Sequence, residues 1–464
     1  MNVRRHNRLI YLLAAFLMMA AGTACVEPIN VTPPELADEV ELSFQIALPS
    51  AEIMTKADVN PVVPEARIKS LWIWAFTNGG ADDEVAVGYA NPMVDSDGWD
   101  DTSDKTITMK LRSAVVNSVK PNGENPKLDF YALANGEAVG FNPNPEDPDP
   151  KKPTRGELKE ALIEDGKGAG FGTACVSDVP DYGLPMTACY TGFDISFLRL
   201  GFTAAQLAMF KDEKPNTKPT EFSDAQWAWA DLPGNWAYDK VSPKMDLQRA
   251  VAKIRFVFAK AETMTAEAQI TSIELGYGDN FENMLPVSTY LFPRGSESPI
   301  YPEGTNYESF SWTGANSAPL VTNSQLLTVD TPLRLRKDSE IETGGTKPKV
   351  MTPQQYEDFL TSEIETGNKP STQKLLYLRE SDKSAVKCKI GYQFKKTGET
   401  DFGTVNYTTI DIPRDPGTQQ YYRLTRNTWW TVYAYFISYE LGFQVTVMPW
   451  DGVGSSENTN SHLQ

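Results

Sequence analysis

Histidine is almost missing from this chain. Its 464 residues include only His6 and His462, each close to one end. A Ser-His-Asp triad, a His-ligated metal and a histidine acid–base pair all need imidazole inside the fold, so these chemistries have nothing to carry them. Cysteine is scarce too, four residues in all with no Cys-x-x-Cys pair, which removes zinc ribbons and thioredoxin-like redox sites. Neither a P-loop nor a Gly-rich dinucleotide fingerprint occurs. Positive charge is in deficit: 43 Lys and Arg face 61 Asp and Glu, a net charge of −18. That is the wrong sign for a general nucleic-acid binder or a polybasic membrane patch. Past the N-terminus no apolar run approaches the roughly 18 residues of a membrane-spanning helix.

The one long apolar run lies at the start. Arg4 and Arg5 precede an apolar stretch from Leu9 to Ala21, and Gly22, Thr23 and Ala24 supply the small residues a signal peptidase needs. This reads as an export signal over residues 1–24. Cys25 follows directly, in the position of a lipidated cysteine that becomes the mature N-terminus; ordinary secretion is the alternative. The remaining chain, 41% hydrophobic and 11% aromatic overall, is long enough for two or three domains with real cores.

Period-two alternation dominates the rest of the chain, the mark of half-buried strands. Val40, Leu42, Phe44, Ile46 and Leu48 alternate with Glu41, Ser43, Gln45 and Ala47 without a break. Further strands are expected at 67–76, 106–112, 127–134, 252–259, 270–275, 375–380, 385–394 and 404–412, with two more between Trp429 and Trp450. Helices are few: 154–164, with Thr154 as N-cap, and 203–210. Many strands separated by Gly, Pro, Asn and Asp clusters indicate an all-β protein built of β-sandwiches. Loop-rich texture gives way to a clean run of strands near residue 243, which predicts an N-terminal domain over 57–243 and a C-terminal domain over 244–464.

The other cysteines divide. Cys388 alternates with Val386, Ile390, Tyr392 and Phe394, which marks a buried core thiol. Cys175 and Cys189 flank a short turn-rich segment. An oxidising compartment would permit a disulfide between them, while spacing alone leaves two separate thiols equally open. The acidic run at 146–150 lacks the spaced ligands and turn glycine of a calcium loop and reads as a solvated loop. A glycosidase-type carboxylate pair has no marker among so many acids. The aromatic cluster of Trp227, Trp229 and Trp236 fits either a sugar-stacking platform or internal packing, with packing the commoner use of such large apolar area. No cofactor or metal and no catalytic residue is expected.

Several stretches taken together resemble the fimbrillin family of Bacteroidales, the subunits of lipoprotein-derived fimbriae. They are 182–188, 245–256, 290–293, 375–381 and 425–436, within which Pro185-Met186-Thr187, the Arg249–Ala252–Lys253 spacing and Arg426–Asn427 are the most family-like; 445–450 is similar to the family's closing strand. The resemblance implies two transthyretin-like β-sandwich domains. It further implies a subunit that reaches the cell surface through the outer membrane on a lipid anchor at Cys25. There an Arg/Lys-specific protease removes an N-terminal strand, and the subunit joins other fimbrial subunits by strand exchange. Adhesion to a host protein or glycan would be the output.

The residues fit that scheme. Lys56 and Ala57 come after the strand 40–48 within a short polar segment open to a protease, so residues 25–56 read as a lipidated propeptide. Arg67 is a rival cleavage site, and the anchor type of subunit in this family stays uncut. Five large side chains on the removable strand, at about 1.5–3 kcal/mol each, amount to very roughly 8–15 kcal/mol, comparable to a whole domain's stability. A subunit so opened needs a replacement strand. Leu441, Phe443, Val445 and Val447 alternate with Gly442, Gln444, Thr446 and Met448 and form the candidate donor; the tail after Trp450 is too polar. A stalk or tip-accessory subunit is the first functional reading, with a slight leaning to the tip. A surface glycan-binding outer-membrane lipoprotein is the second, and a carboxylate hydrolase the weakest.

Overall fold

The computed structural model describes residues 39–47 and most of 65–449, leaving out 314–372, 412–422 and several shorter stretches. The signal segment, Cys25, Leu48, Lys56, Ala57 and the tail from Trp450 lie outside the described residues. Alternating strands build almost everything, as the sequence pattern predicts: the protein is all-β, with a few short helices.

In the first half, a three-stranded sheet has β1 (Glu39–Ala47) in the middle, between β4 (Lys105–Arg112) and β9 (Lys244–Asp246). Its apolar face lies on a five-stranded sheet of order β10 (Gln248–Arg249), β8 (Met186–Asp194), β5 (Lys127–Ala134), β2 (Leu71–Thr77), β3 (Gly88–Ala90). Leu42, Phe44, Met109, Leu111, Trp74 and Phe130 belong to the one core between these layers. In β4 the alternation is complete: Ile107, Met109 and Leu111 are buried while Thr106, Thr108 and Lys110 are exposed.

The second half repeats the plan. One sheet runs β21 (Glu440–Pro449), β20 (Thr428–Ile437), β11 (Ala252–Lys260), β17 (Gln373–Leu378), β7 (Cys175–Val176). The other runs β16 (Phe310–Thr313), β12 (Glu267–Tyr277), β18 (Val386–Lys395), β19 (Asn406–Asp411). Two small pairs complete the strands: β13 (Leu285–Pro286) with β15 (Tyr307–Glu308), and β14 (Ser288–Tyr290) with β6 (Leu162–Glu164).

The division at residue 243 falls short of where the strands change company. β9 and β10 still pair with β1 and β8, and the crossing comes between Arg249 and Ala252. Two pieces also cross the other way. β7 forms an edge of the second half's sheet beside β17, and β6 pairs with β14. The helix expected over 154–164 stops at Lys159. Its Thr154–Glu157 capping box is present, but the chain then extends into β6, where Ile163 is buried in the core.

That crossing also corrects the disulfide expectation. Cys189 is a free, buried thiol on β8, opposite Tyr131, whereas Cys175 lies on β7 in the other half's sheet. The segment between them carries the chain from one half to the other, and no bridge joins them. Cys388 is buried and free on β18, between Val386 and Ile390, as its alternation predicts.

Candidate functional site: a central strand and a charged seam

β1 is held through both edges and one face. Along one edge it pairs antiparallel with β4, setting Val40 opposite Leu111, Leu42 opposite Met109 and Phe44 opposite Ile107. Along the other it runs parallel to β9. There the Gln45 amide donates to the Pro243 carbonyl at 3.0 Å and its side-chain Nε2 to the Ser242 carbonyl at 3.2 Å. The Leu247 amide donates back to the Ala47 carbonyl at 3.1 Å. Beneath the strand, Phe44 meets Phe130 of the facing sheet. Leu42, Phe44 and Ile46 are all buried, and Val40 is half-buried. Three fully buried side chains are worth about 5–9 kcal/mol, on the scale of a domain's net stability. Glu39 and Lys110 approach at 3.5 Å on the surface, where such a pair adds little.

After residues 48–64, which lie outside the described set, the chain resumes at Glu65, buried between the two halves. Its carboxylate lies 3.0 Å from Lys253 Nζ on β11 and accepts the Tyr377 hydroxyl of β17 at 2.6 Å. Arg249 donates through Nε to the Glu65 carbonyl at 3.2 Å. The Lys253 ammonium lies over the Trp429 ring, 4.6 Å from its centroid, and the Arg255 guanidinium at 4.5 Å. Charge taken out of water is costly unless paired and hydrogen-bonded, and here the pairing joins distant parts of the chain.

Three more arginines lie along the same seam. Arg379 is fully buried and donates to the Phe171 carbonyl of the first half at 2.8 Å and to the Pro286 and Val287 carbonyls of the second. Arg426 grips Glu380 through Nε at 2.8 Å and the Leu291 and Tyr290 carbonyls through its two terminal nitrogens. Arg294 donates to the Lys159 carbonyl and to Glu160, each at 2.7 Å. The Arg249–Lys253 spacing and Arg426, which carry much of the family resemblance, are therefore seam residues. Glu65, Tyr377, Arg379 and Glu380 complete it. A sequence offers little sign of them, because isolated charges ordinarily read as solvent-facing.

Arg67, the rival cleavage position, has its carbonyl and the backbone that follows it held by hydrogen bonds. Asn135 is buried with φ 58°. Its side chain donates to the carbonyls of Arg67 and Leu184, both at 2.8 Å, and accepts the Lys69 amide at 2.8 Å. Ile68 and Trp99 exchange two backbone bonds. Gly183, at φ +81°, passes so close that a Cβ there would stand 2.4 Å from the Asn135 amide nitrogen.

The tryptophan cluster packs inward. Trp236 stacks on Phe210, centroids 4.7 Å apart, and donates Nε1–H to the Asp212 carbonyl. Trp229 touches Phe197, Phe202 and Phe210, and Trp227 meets Trp236 and Phe222 edge to face. All three are half-buried against the first half's core, in a helical cap whose Ser223–Gln226 capping box starts the helix Asp224–Ala230. The candidate donor residues Leu441, Phe443, Val445 and Val447 lie on β21, paired in register with Phe436, Ala434, Val432 and Trp430 of β20; their side chains are outside the described set. Among the described residues no group of three or more His, Cys, Asp or Glu is placed to hold a metal ion, and no helix is long and apolar enough to cross a membrane.

No protein-family description matches this sequence, and no curated protein does either. Solved structures do resemble it at low identity. A Parabacteroides distasonis protein proposed to act in cell adhesion aligns at TM-score 0.44 and 13% identity, over 89% of this chain and 97% of that one. The tip fimbrial protein Mfa3 of Porphyromonas gingivalis aligns at 0.39 and 15%, over 89% and 100%. A fimbrial assembly protein of Parabacteroides distasonis aligns at 0.33 and 11%, over 89% and 100%. At these scores the likenesses assign neither family nor function.

Proposed function

We propose that this chain is a non-enzymatic subunit of a surface fimbrium, a structural or tip-accessory component that serves adhesion. In this reading it is exported as a lipoprotein through Cys25 and carried across the outer membrane. An Arg/Lys-specific protease then cuts after Lys56, so that Ala57 becomes the new N-terminus, and donor-strand exchange joins it to other fimbrial subunits. The observation that carries the reading is β1. It is the middle strand of a three-stranded sheet, its inward side chains are buried, and it is the first strand of the described chain. Removing it would leave a gap one strand wide, with hydrogen-bonding edges on β4 and β9 and an apolar floor that includes Phe130. A strand from another chain supplies both needs at once: backbone bonds give affinity, and alternate side chains give register.

The deciding experiment is N-terminal sequencing and mass spectrometry of polymeric material sheared from the cell surface. A start at Ala57 with the Cys25 lipid gone is the expected result. Polymer that retains Cys25 and β1 would overturn the reading and favour a permanently anchored surface lipoprotein.

A further inference from the structure

The outer face of the second half's four-stranded sheet carries a row of paired polar groups with one exposed ring among them. Along β18, Val386, Cys388 and Ile390 are buried, while Lys387, Lys389 and Gln393 stand half-exposed on the opposite face. Each of these three has a partner on a neighbouring strand or loop. Lys387 lies 3.4 Å from Asp279 and 3.6 Å from Asp411, and Lys389 lies 3.2 Å from Glu274. Gln393 accepts the Gln269 side-chain amide at 2.9 Å. Surface pairs of this kind contribute little to stability, so stability alone does not explain the row.

Between Lys389 and Gln393 the row has a glycine, and a bulge in β12 requires it. β12 pairs Ile270 with Tyr392 but Ser272 with Gly391, so Thr271 is an extra residue there. Bulges re-aim side chains. A Cβ on Gly391 would stand 2.3 Å from Ser272 Oγ and 2.9 Å from Thr271 Oγ1. Both hydroxyl oxygens are buried without a hydrogen-bond partner among the described residues, which is a costly arrangement. Tyr407 of β19 lies opposite Gly391 and brings its ring to the same spot, its Cε1 3.0 Å from where that Cβ would be. Covering a glycine accounts for one edge of the ring only. Tyr407 remains 57% exposed, more than any other large apolar side chain among the described residues. The Lys389 ammonium lies 4.8 Å from its centroid.

We propose that this face binds a neutral oligosaccharide laid along β18, with one sugar ring stacked on Tyr407. A sugar presents an apolar C–H face and a rim of hydroxyls, which suits an exposed ring beside paired donors and acceptors. Lys389 and Glu274 hold a donor and an acceptor 3.2 Å apart, a spacing that matches neighbouring hydroxyls on a pyranose. On the other side of the ring, the Gln393 and Gln269 amides keep donor and acceptor capacity beyond their mutual bond. A small outward swing of the exposed ring opens Ser272 and Thr271 to a sugar hydroxyl, the partner they lack. From Lys387 to Gln393 the strand covers about 20 Å, room for several sugars in a row. Charge sets the class of glycan. The two lysines face three carboxylates, Glu274, Asp279 and Asp411, so sulfated or sialylated chains are repelled. The inference rests on the adhesion reading for its use at the cell surface, not on cleavage at Lys56.

The test applies the purified full-length protein to a glycan array that sets neutral gluco-, manno- and galacto-oligosaccharides beside sialylated and sulfated chains. Binding to a neutral chain is the expected result, and titration of that chain then compares variants. Tyr407→Ala and Glu274→Gln should each weaken binding about tenfold or more, while Tyr407→Phe, which keeps the ring, should stay within about threefold. Urea midpoints measured alongside separate lost binding from lost fold, and Glu274→Gln leaves both the ring and the strand pairing in place. Binding to anionic chains alone, or to no chain, overturns the inference. Neutral-chain binding that survives both Tyr407→Ala and Glu274→Gln puts the site elsewhere and overturns the assignment to this face. The fimbrial reading is judged separately by the mature N-terminus. Surface polymer that retains Cys25 would sink that reading and leave the saccharide result standing.

Discussion

Phe44 and Phe130 meet edge to face, with ring centroids 4.7 Å apart and planes at 85°. This contact joins the strand we read as removable to the sheet that remains. Phe44→Ala in the unprocessed precursor is expected to cost about 3–5 kcal/mol, the range for a buried phenylalanine truncation. A urea denaturation midpoint equal to that of the native precursor would show that β1 contributes nothing there.

The Glu65–Lys253 pair lies in the seam, and removing one partner takes the counter-charge from a buried ion. Glu65→Ala is expected to destabilise the protein by about 3–5 kcal/mol. Glu65→Ala combined with Lys253→Met should recover much of that loss, because the buried charge that lost its counter-ion is gone. Denaturation of the two variants side by side measures the difference.

Cleavage should respond to Lys56 and ignore Arg67. Lys56→Ala is expected to slow maturation and leave lipidated monomer on the cell. Arg67→Ala should leave the mature N-terminus unchanged, since the backbone around Arg67 is bound to Asn135 and Trp99. N-terminal sequencing of surface material from both strains distinguishes them.

Alkaline pH should weaken the fold. Burial pushes the Cys189 and Cys388 thiols well above their ordinary value of 9.0, and burial likewise raises the Tyr131 phenol above 10.0. The folded state keeps protons that the unfolded chain releases, so this contribution to stability is complete below pH 9.0 and lost as pH rises beyond it. Denaturation midpoints across that range should fall, and in the native protein both thiols should resist thiol reagents that modify them after unfolding.

Deleting residues 452–464 should leave incorporation into fimbriae intact. That segment has only Val453 and Leu463 as aliphatic residues, and its low strand propensity suits it poorly to fill an apolar groove. Quantifying the truncated subunit in sheared fimbriae is the check; a folded monomer excluded from them would reassign the donor.

Strands with an apolar or alternating run were legible in the residues. β5 has the expected bounds, 127–134, and β18 differs from its expected range by one residue at each end. β8 was not, because Met186–Asp194 mixes polar and apolar residues, bends at Gly192 with φ +73°, and pairs with β5 through a register shift. The helix Asp224–Ala230 hid behind its tryptophans, although Ser223 and Gln226 carry the capping-box spacing. The seam was least legible. In β11, Lys253 and Arg255 occupy the polar positions of an alternating strand, yet both are buried, with Trp429 across their charged ends. Whether a polar strand face meets water or another part of the chain is decided by parts of the sequence far away.

The seam has a mechanical consequence. Tension applied between the two halves of the chain enters one and leaves through the other. It must cross the β6–β14 pairing, the β7–β17 pairing, the Glu65–Lys253 bridge and the Arg379 bonds to Phe171. These connections tie residues far apart in the chain, and each spans the boundary between the halves. Pulling the halves apart must break these connections, which raises the force they bear before they separate.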